Sequence, residues 1–353
     1  MSYLILQNFI RKMYLIEKLK RQCLIIKEEN AGGSLAKARA VLKTAFGEYS
    51  MWILLVLMYI IAGIFIPRLF YPENVQNIIV QGTILGILSI GMTFSMLVGE
   101  IDLSVVATMG FAPLLGLFAI NAGLPFLVAP LLTVVVGAGV GLMNGVLIEK
   151  VGIPSLVQTV ATWWILQGLI LVLTEGVPKA VLSTDWLWLG NAYVGPIRVL
   201  LIFFILLVIG VWFFVKNTKT GLRLYLTGGN KNSARAAGIP TAKIRILAFV
   251  LCGALAAIAG YALAAKQGSV SANLETQLLP LALAAPVISG VSLTGGRANL
   301  INVVGGAFML QLIINIIRLA GLGGFYYNLS QGVLIFFAIL IEVLRRRMMG
   351  IKM

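Results

Sequence analysis

The sequence predicts an all-α, polytopic membrane protein of about ten transmembrane helices, and three observations carry that reading. Of the 353 residues, 60% are hydrophobic and only 11% charged, where a soluble domain carries about 25% charged residues. Apolar runs of roughly 20 residues recur along the chain, each long enough to cross a hydrocarbon core about 30 Å thick. Lys and Arg gather on alternate connections between these runs, as they do on segments held at the cytoplasmic side. The spans are helical because lipid offers the backbone no hydrogen-bond partners, and the alternating ten-residue segments of a β-barrel are not seen in the sequence.

Residues 1–48 form a basic segment ahead of the first span. Ile5, Phe9, Met13, Ile16, Leu19, Cys23 and Ile26 recur at spacings of three or four, with Arg11, Lys12, Lys18, Lys20, Arg21 and Lys27 between them. That is the pattern of an amphipathic helix lying on anionic membrane lipid. Its length rules out the n-region of a cleaved signal peptide. The transmembrane domain covers 49–347, with apolar runs near 48–67, 76–98, 102–122, 124–148, 155–174, 198–215, 246–265, 278–291, 299–320 and 326–344. A cytoplasmic tail follows at 348–353. The eighth run is short and holds Pro280 and Pro286, so a broken or half-length helix is expected there, lining a cavity or packed in protein. Gly82 and Gly86, and Gly137, Gly141 and Gly145, fall four apart, the spacing at which helices approach closely.

Charge fixes the expected orientation. With the N-terminus inside and the spans alternating, 22 of the 27 Lys and Arg fall on inner segments, so both termini are expected to be cytoplasmic, in a multi-pass cell (inner or plasma) membrane protein. The net charge of +15 is explained by this asymmetry rather than by nucleic acid. There is no histidine, and of the two cysteines Cys23 lies in the basic segment and Cys252 in an apolar run. No metal cluster is built from these, no cofactor is called for, and the commonest general base is missing. An enzyme is therefore not expected, and the sequence has no GxxxxGK[ST] phosphate loop.

Few residues can carry chemistry inside the membrane. Glu100 and Asp102 lie between the second and third runs. Asp102 suits the N-terminus of the third helix, or the two carboxylates serve gating. Together with Ser104, Asn144 and Thr162 they make the gating or pathway candidates. Polar residues such as Gln158, Gln311 and Asn315 suit interhelical hydrogen bonds or a path for a hydroxyl-rich solute. Glu275 reads as a solvated loop residue. The 175–198 segment, with Trp186, Trp188 and Tyr193, reads either as a surface helix or as a contact for an external partner.

Between the sixth and seventh runs lies a basic stretch, 216–245, unlike anything around it. Gly228 and Gly229 are expected to turn the chain. Asn230 or Asn232 is expected to cap a short helix, Ser233 to Ala237, bearing Ala234 and Arg235. Gly238 fits the closing left-handed position and Pro240 stops continuation. A helix capped at both ends between two spans is the kind of element that docks a partner. With spans almost free of charge, ion coupling has little to work with, so uphill transport needs another polypeptide.

At these residues the chain resembles the sugar-type ABC importer permeases of the ribose/xylose/galactose group. The resemblance rests on GMTFSMLVGEIDLSV (91–105), GLMNGVLIEKVGIPSLVQTVAT (141–162), TKTGLRLYLTGGNKNSARAAGI (218–239) and SGVSLTGGRANLINVVGGAF (289–308), in order along residues 50–347. It departs from the family at Glu100, where Gly is usual, at Thr276 to Ala285, where an acid is usual, and at Ser289. The resemblance implies an importer-type ABC permease fold and a second permease subunit, the pair forming a homo- or heterodimer. It also implies a cytoplasmic ABC ATPase and an extracytoplasmic solute-binding protein. Residues Gly228, Gly229, Asn230, Ser233, Ala234, Arg235, Gly238 and Ile239 would form the helix that couples to the ATPase. The expected function is uptake of a small neutral sugar or sugar-like solute; a nucleoside, a furanosyl signal, or ion-coupled secondary transport are the alternatives.

Overall fold

The computed structural model describes residues 49–271 and 278–321, together with 326, 329–333, 336 and 340. The basic segment 1–48, Cys23, Glu275 and the tail 348–353 lie outside these residues, as does most of the tenth apolar run.

Nine apolar helices run through the described residues. They are α1 (Ser50–Phe65), α2 (Pro72–Leu97), α3 (Val105–Asn121), α4 (Val128–Val146, prolonged by a π turn, Leu147–Val151), α5 (Ser155–Thr174), α7 (Val199–Asn217), α10 (Thr241–Gln267), α11 (Leu279–Ile288) and α12 (Leu300–Leu319). Six of them, α2, α4 with its π turn, α5, α7, α10 and α12, are long and apolar enough to cross a membrane; α1, α3 and α11 are shorter. The eighth run is the ten-residue α11. It stops at Gly290, which takes φ +87° while the amides of Gly290 and Val291 return to the carbonyls of Val287 and Pro286, each at 3.0 Å, a left-handed stop that suits glycine. Three short helices complete the set: α6 (Thr184–Asn191), α8 (Lys219–Gly229) and α9 (Lys231–Ala236).

The bundle is built around α2 and α10, whose mid-sections are buried. α10 packs on α4, α2 and α3, and α12 on α2 and α1. Glycine explains the closeness of α4 and α10. A Cβ at Gly137 would meet the Gly253 carbonyl, one at Gly141 the Phe249 carbonyl, and one at Gly145 the Ile246 backbone. In lipid, helix association relies on such dispersion contacts, because acyl chains are as apolar as the side chains. Gly82 and Gly86 instead receive the rings of Phe308 and Phe204. Outer faces of α5 and α7 expose Leu156, Val157, Trp164, Val172, Leu206 and Phe213, as a lipid-facing surface does.

Two ends can be told apart by what joins the helices. At one end β1 (Lys179–Ala180) pairs antiparallel with β4 (Ser269–Val270), and β2 (Tyr193–Val194) with β3 (Ile197–Arg198). There α6 drives Trp186 fully into the core, edge-on to Tyr261 at 4.6 Å, and leaves Trp188 exposed. The surface-helix reading of 175–198 therefore fits Trp188, while Trp186 is a core residue. The other, basic end carries α8 and α9 together with the loops that follow α2 and α11.

Candidate coupling and gating site

α8 is the arm on which α9 is mounted. Thr218 caps it, its Oγ1 accepting from the Gly221 amide at 3.0 Å. Gly221, Leu224 and Thr227, three apart, form its buried face. The Tyr225 hydroxyl donates to the Ala298 carbonyl at 2.9 Å, fastening the arm to the loop before α12.

Gly228 and Gly229 do not turn the chain as expected; they are the last two residues of α8. The change of direction comes from Asn230, which is extended at φ −159°, ψ 105°. Glycine is needed for proximity instead. A Cβ on Gly228 would meet the carbonyl of Leu97, the final residue of α2, and Gly229 abuts Gly296. The Gly296 amide in turn donates to the Leu97 carbonyl at 2.9 Å. Arm, central helix and the α11–α12 loop thus meet backbone on backbone, with no flexible side chain between them.

α9 is capped at both ends. Asn230, not Asn232, is its N-cap: the Ser233 amide donates to Asn230 Oδ1 at 2.9 Å. The helix runs from Lys231 to Ala236, two residues ahead of the expected start, because Asn230 closes the ring at Ser233. At the far end Gly238 takes φ +79°, and the amides of Gly238 and Ile239 return to the carbonyls of Arg235 and Ala234, each at 3.0 Å. This doubly bonded stop requires a left-handed residue, hence glycine. Ala234 and Ile239 are buried and anchor the helix, while Asn232, Ser233, Arg235 and Ala236 are exposed.

Behind α9 lies a group of four charges. Arg245, in the second turn of α10, pairs with both Glu100 and Glu149. Lys231, at the start of α9, reaches Glu149 Oε1 at 3.3 Å. The Glu149 side chain is only 3% exposed and sits on the π turn, a widened turn that often marks functional positions. Burial lowers the Lys231 pKa from its ordinary value, and the neighbouring Arg235 adds to the shift.

Deeper in the bundle the remaining candidates form one hydrogen-bonded chain. The Ser104 hydroxyl donates to Asp102 Oδ1 at 2.6 Å, and the Ser104 amide donates to the same oxygen at 3.0 Å. Asn144 Nδ2 donates to Ser104 Oγ at 2.9 Å. Thr162 Oγ1 donates to Asn144 Oδ1 at 2.6 Å, and Gln158 Nε2 reaches Asn144 Oδ1 at 3.3 Å and Thr162 Oγ1 at 3.1 Å. All five side chains are buried, and they join the start of α3 to α4 and α5. Glu100 stands apart, in the charge group. Asn74 and Asn315 exchange bonds of 2.8 and 3.0 Å between α2 and α12. Thr93 and Thr159 merely bond back into their own helices.

One relation was not found in the sequence although it was written there. Ile101-Asp102-Leu103-Ser104 and Val291-Ser292-Leu293-Thr294 are alike. Both turn the chain by the same bond: the Ser104 amide to Asp102, and the Thr294 amide to Ser292 Oγ at 3.3 Å. The two loops meet, with Gly99 against the Thr294 carbonyl and Gly295 against the Gly99 amide. Internal comparison of the halves would have found it. Glu149 and Arg245 were also missed, since each reads as an ordinary charge at a helix end. Among the described residues no group of His, Cys, Asp and Glu could hold a metal.

Three comparisons bear on this geometry. A model of the family described as branched-chain amino acid transport system / permease component matches residues 74–344. The ribose import permease protein of Bacillus subtilis is 32% identical over 294 residues, 82% of this chain and 90% of the relative. That of Escherichia coli K12 is 29% identical over 301 residues, 84% and 93% of the two chains. The autoinducer 2 import system permease protein of Yersinia enterocolitica is 32% identical over 285 residues, 79% and 77%. No solved structure matches the chain.

Proposed function

The chain belongs to the branched-chain amino acid transport system / permease component family, and from that premise we propose that it is the membrane-spanning permease subunit of an ATP-driven importer carrying a small neutral sugar or sugar-like solute into the cytoplasm. It is not itself the enzyme: ATP is hydrolysed by a separate ATPase. The relatives named for ribose import support a sugar as the solute. The relative named for autoinducer 2 favours a second reading, a signal molecule carried by the same route.

The observation that carries the proposal is the mounting of α9. Its outward residues, Ser233 and Arg235 among them, are free to meet a partner, while Gly228 joins its arm to the end of α2 without slack. A push on α9 is therefore felt at α2, at the α11–α12 loop and at the paired loops of 98–104 and 289–296. Such an element, shared by two global states, is what coupling between ATP and solute requires. The basic end faces the cytoplasm in this reading, in keeping with its Lys and Arg. Asn144 lies five residues before Glu149, about 8 Å along α4 by the 1.5 Å rise per helical residue, and Asp102, Ser104 and Thr162, linked to it by hydrogen bonds, serve with it as gate or path. A second permease subunit completes the membrane half, and a binding protein delivers the solute at the opposite end.

The test is uptake by vesicles holding the chain with its ATPase. Arg235→Glu and Ala236→Pro are expected to insert normally and abolish ATP-driven uptake. Wild-type uptake by both variants would remove the coupling role from α9.

A further inference from the structure

The charge group behind α9 has an uneven build. Arg245 and Glu149 are both buried, with side chains 10% and 3% exposed, whereas the Lys231 side chain is 41% exposed. The buried pair is hard to break, because separating it leaves a charge without its partner away from water. The Lys231 bond is at the rim, where solvent can replace it at small cost. Each end of the group belongs to a different element: Lys231 to α9, Glu149 to the π turn of α4, Arg245 to α10, and Glu100 to the loop after α2. Two carboxylates and two cations make the group neutral overall, so it can persist among buried helices.

We propose that Glu149 is a positioning residue that passes displacement of α9 to α4 and α10, through a breakable pair with Lys231 and a fixed pair with Arg245. When α9 shifts, Lys231 releases or recovers Glu149. The carboxylate then rebalances on Arg245, which also holds Glu100, and so the end of α2 registers the change. This is a second connection, made by charge, beside the backbone contact at Gly228. It rests on the reading that α9 receives the ATPase.

The experiment uses the complete transporter in vesicles, with its ATPase, second permease subunit and binding protein. Solute uptake and ATP hydrolysis are measured together for Lys231→Gln, Lys231→Arg, Glu149→Gln and the Lys231→Gln/Glu149→Gln double variant. Lys231→Gln is expected to lower uptake about fivefold or more while hydrolysis continues, so that more ATP is spent per solute. Lys231→Arg is expected to restore the ratio. In the Glu149→Gln background, Lys231→Gln is expected to change uptake by less than about twofold, as residues acting through one another do. Equal losses in both backgrounds would overturn the proposal. If Glu149→Gln does not assemble, the Lys231 pair decides: wild-type stoichiometry in Lys231→Gln overturns it, and uncoupling rescued by Lys231→Arg supports it. Failure of the ATPase to co-purify with the wild-type chain would overturn the α9 reading itself, whereas co-purification with wild-type transport by Lys231→Gln overturns only the role of Glu149.

Discussion

A single methyl group at residue 228 has nowhere to go. The Leu97 carbonyl that it would meet is the last of a central helix and cannot swing aside as a side chain would. Gly228→Ala is therefore expected to cost about 1–3 kcal/mol, the range for overpacking, read as a lowered thermal midpoint in detergent. Gly229→Ala, with open space around its Cβ position, should cost no more than the ordinary propensity change. Asp102 offers a second residue-scale test. Its Oδ1 accepts both the amide and the hydroxyl of Ser104, so Asp102→Ala should lose about 1–3 kcal/mol by leaving buried donors unpaired. Asp102→Asn keeps an acceptor oxygen for the same two donors and should lose less than Asp102→Ala. Equal losses in denaturant titrations would mean that the oxygen's acceptor role is unimportant. Residue type alone selected Asp102, Ser104, Asn144 and Thr162, because polar groups are conspicuous in an apolar chain. Their hydrogen-bonded order was not legible, since Ser104 and Asn144 are 40 positions apart. Glu149 went unnoticed because a charge near a helix end is unremarkable until a buried partner is found for it.

At the scale of elements, α9 was the most legible part of the basic segment and α8 the least. Asn before a polar run and Gly-Ile-Pro after it are local signals, and local hydrogen bonds answer to them. The buried face of α8 is Gly221, Leu224 and Thr227, one apolar side chain in three, too faint a stripe to separate from a loop. Two glycines at its end then suggested a turn, when they mark a contact with another part of the chain. Asn230→Ala should cost about 1 kcal/mol of local stability, visible as faster amide exchange across Lys231–Ala236, with the transmembrane helices unaffected. Exchange unchanged in α9 would deny Asn230 the capping role. Gly141→Leu in α4 tests the seam with α10. The added side chain faces the Phe249 carbonyl, and separation of the two helices should lower the yield of folded protein far more than the same change at Gly139, whose Cβ position is open.

For the whole molecule, the polytopic helical class followed from composition, because lipid leaves the backbone so few choices. The number of full crossings did not follow so simply. α3 begins late because the chain stays unwound through 98–104, and α11 stops early, so apolar run length overstates helix length at both places. The pairing of the two loops that cause this depends on contacts between distant halves of the chain, which run length does not encode. What emerges is a membrane subunit with a capped helix tied to its centre, and, as a member of its permease family, it depends for its work on a separate ATPase. The most direct measurement is solute accumulation in sealed vesicles holding the purified permease, with and without its ATPase, each supplied with ATP and binding protein. Accumulation against a gradient is expected only when the ATPase is present, and to be lost with Arg235→Glu. A gradient built by the permease alone would contradict the dependence on an external motor.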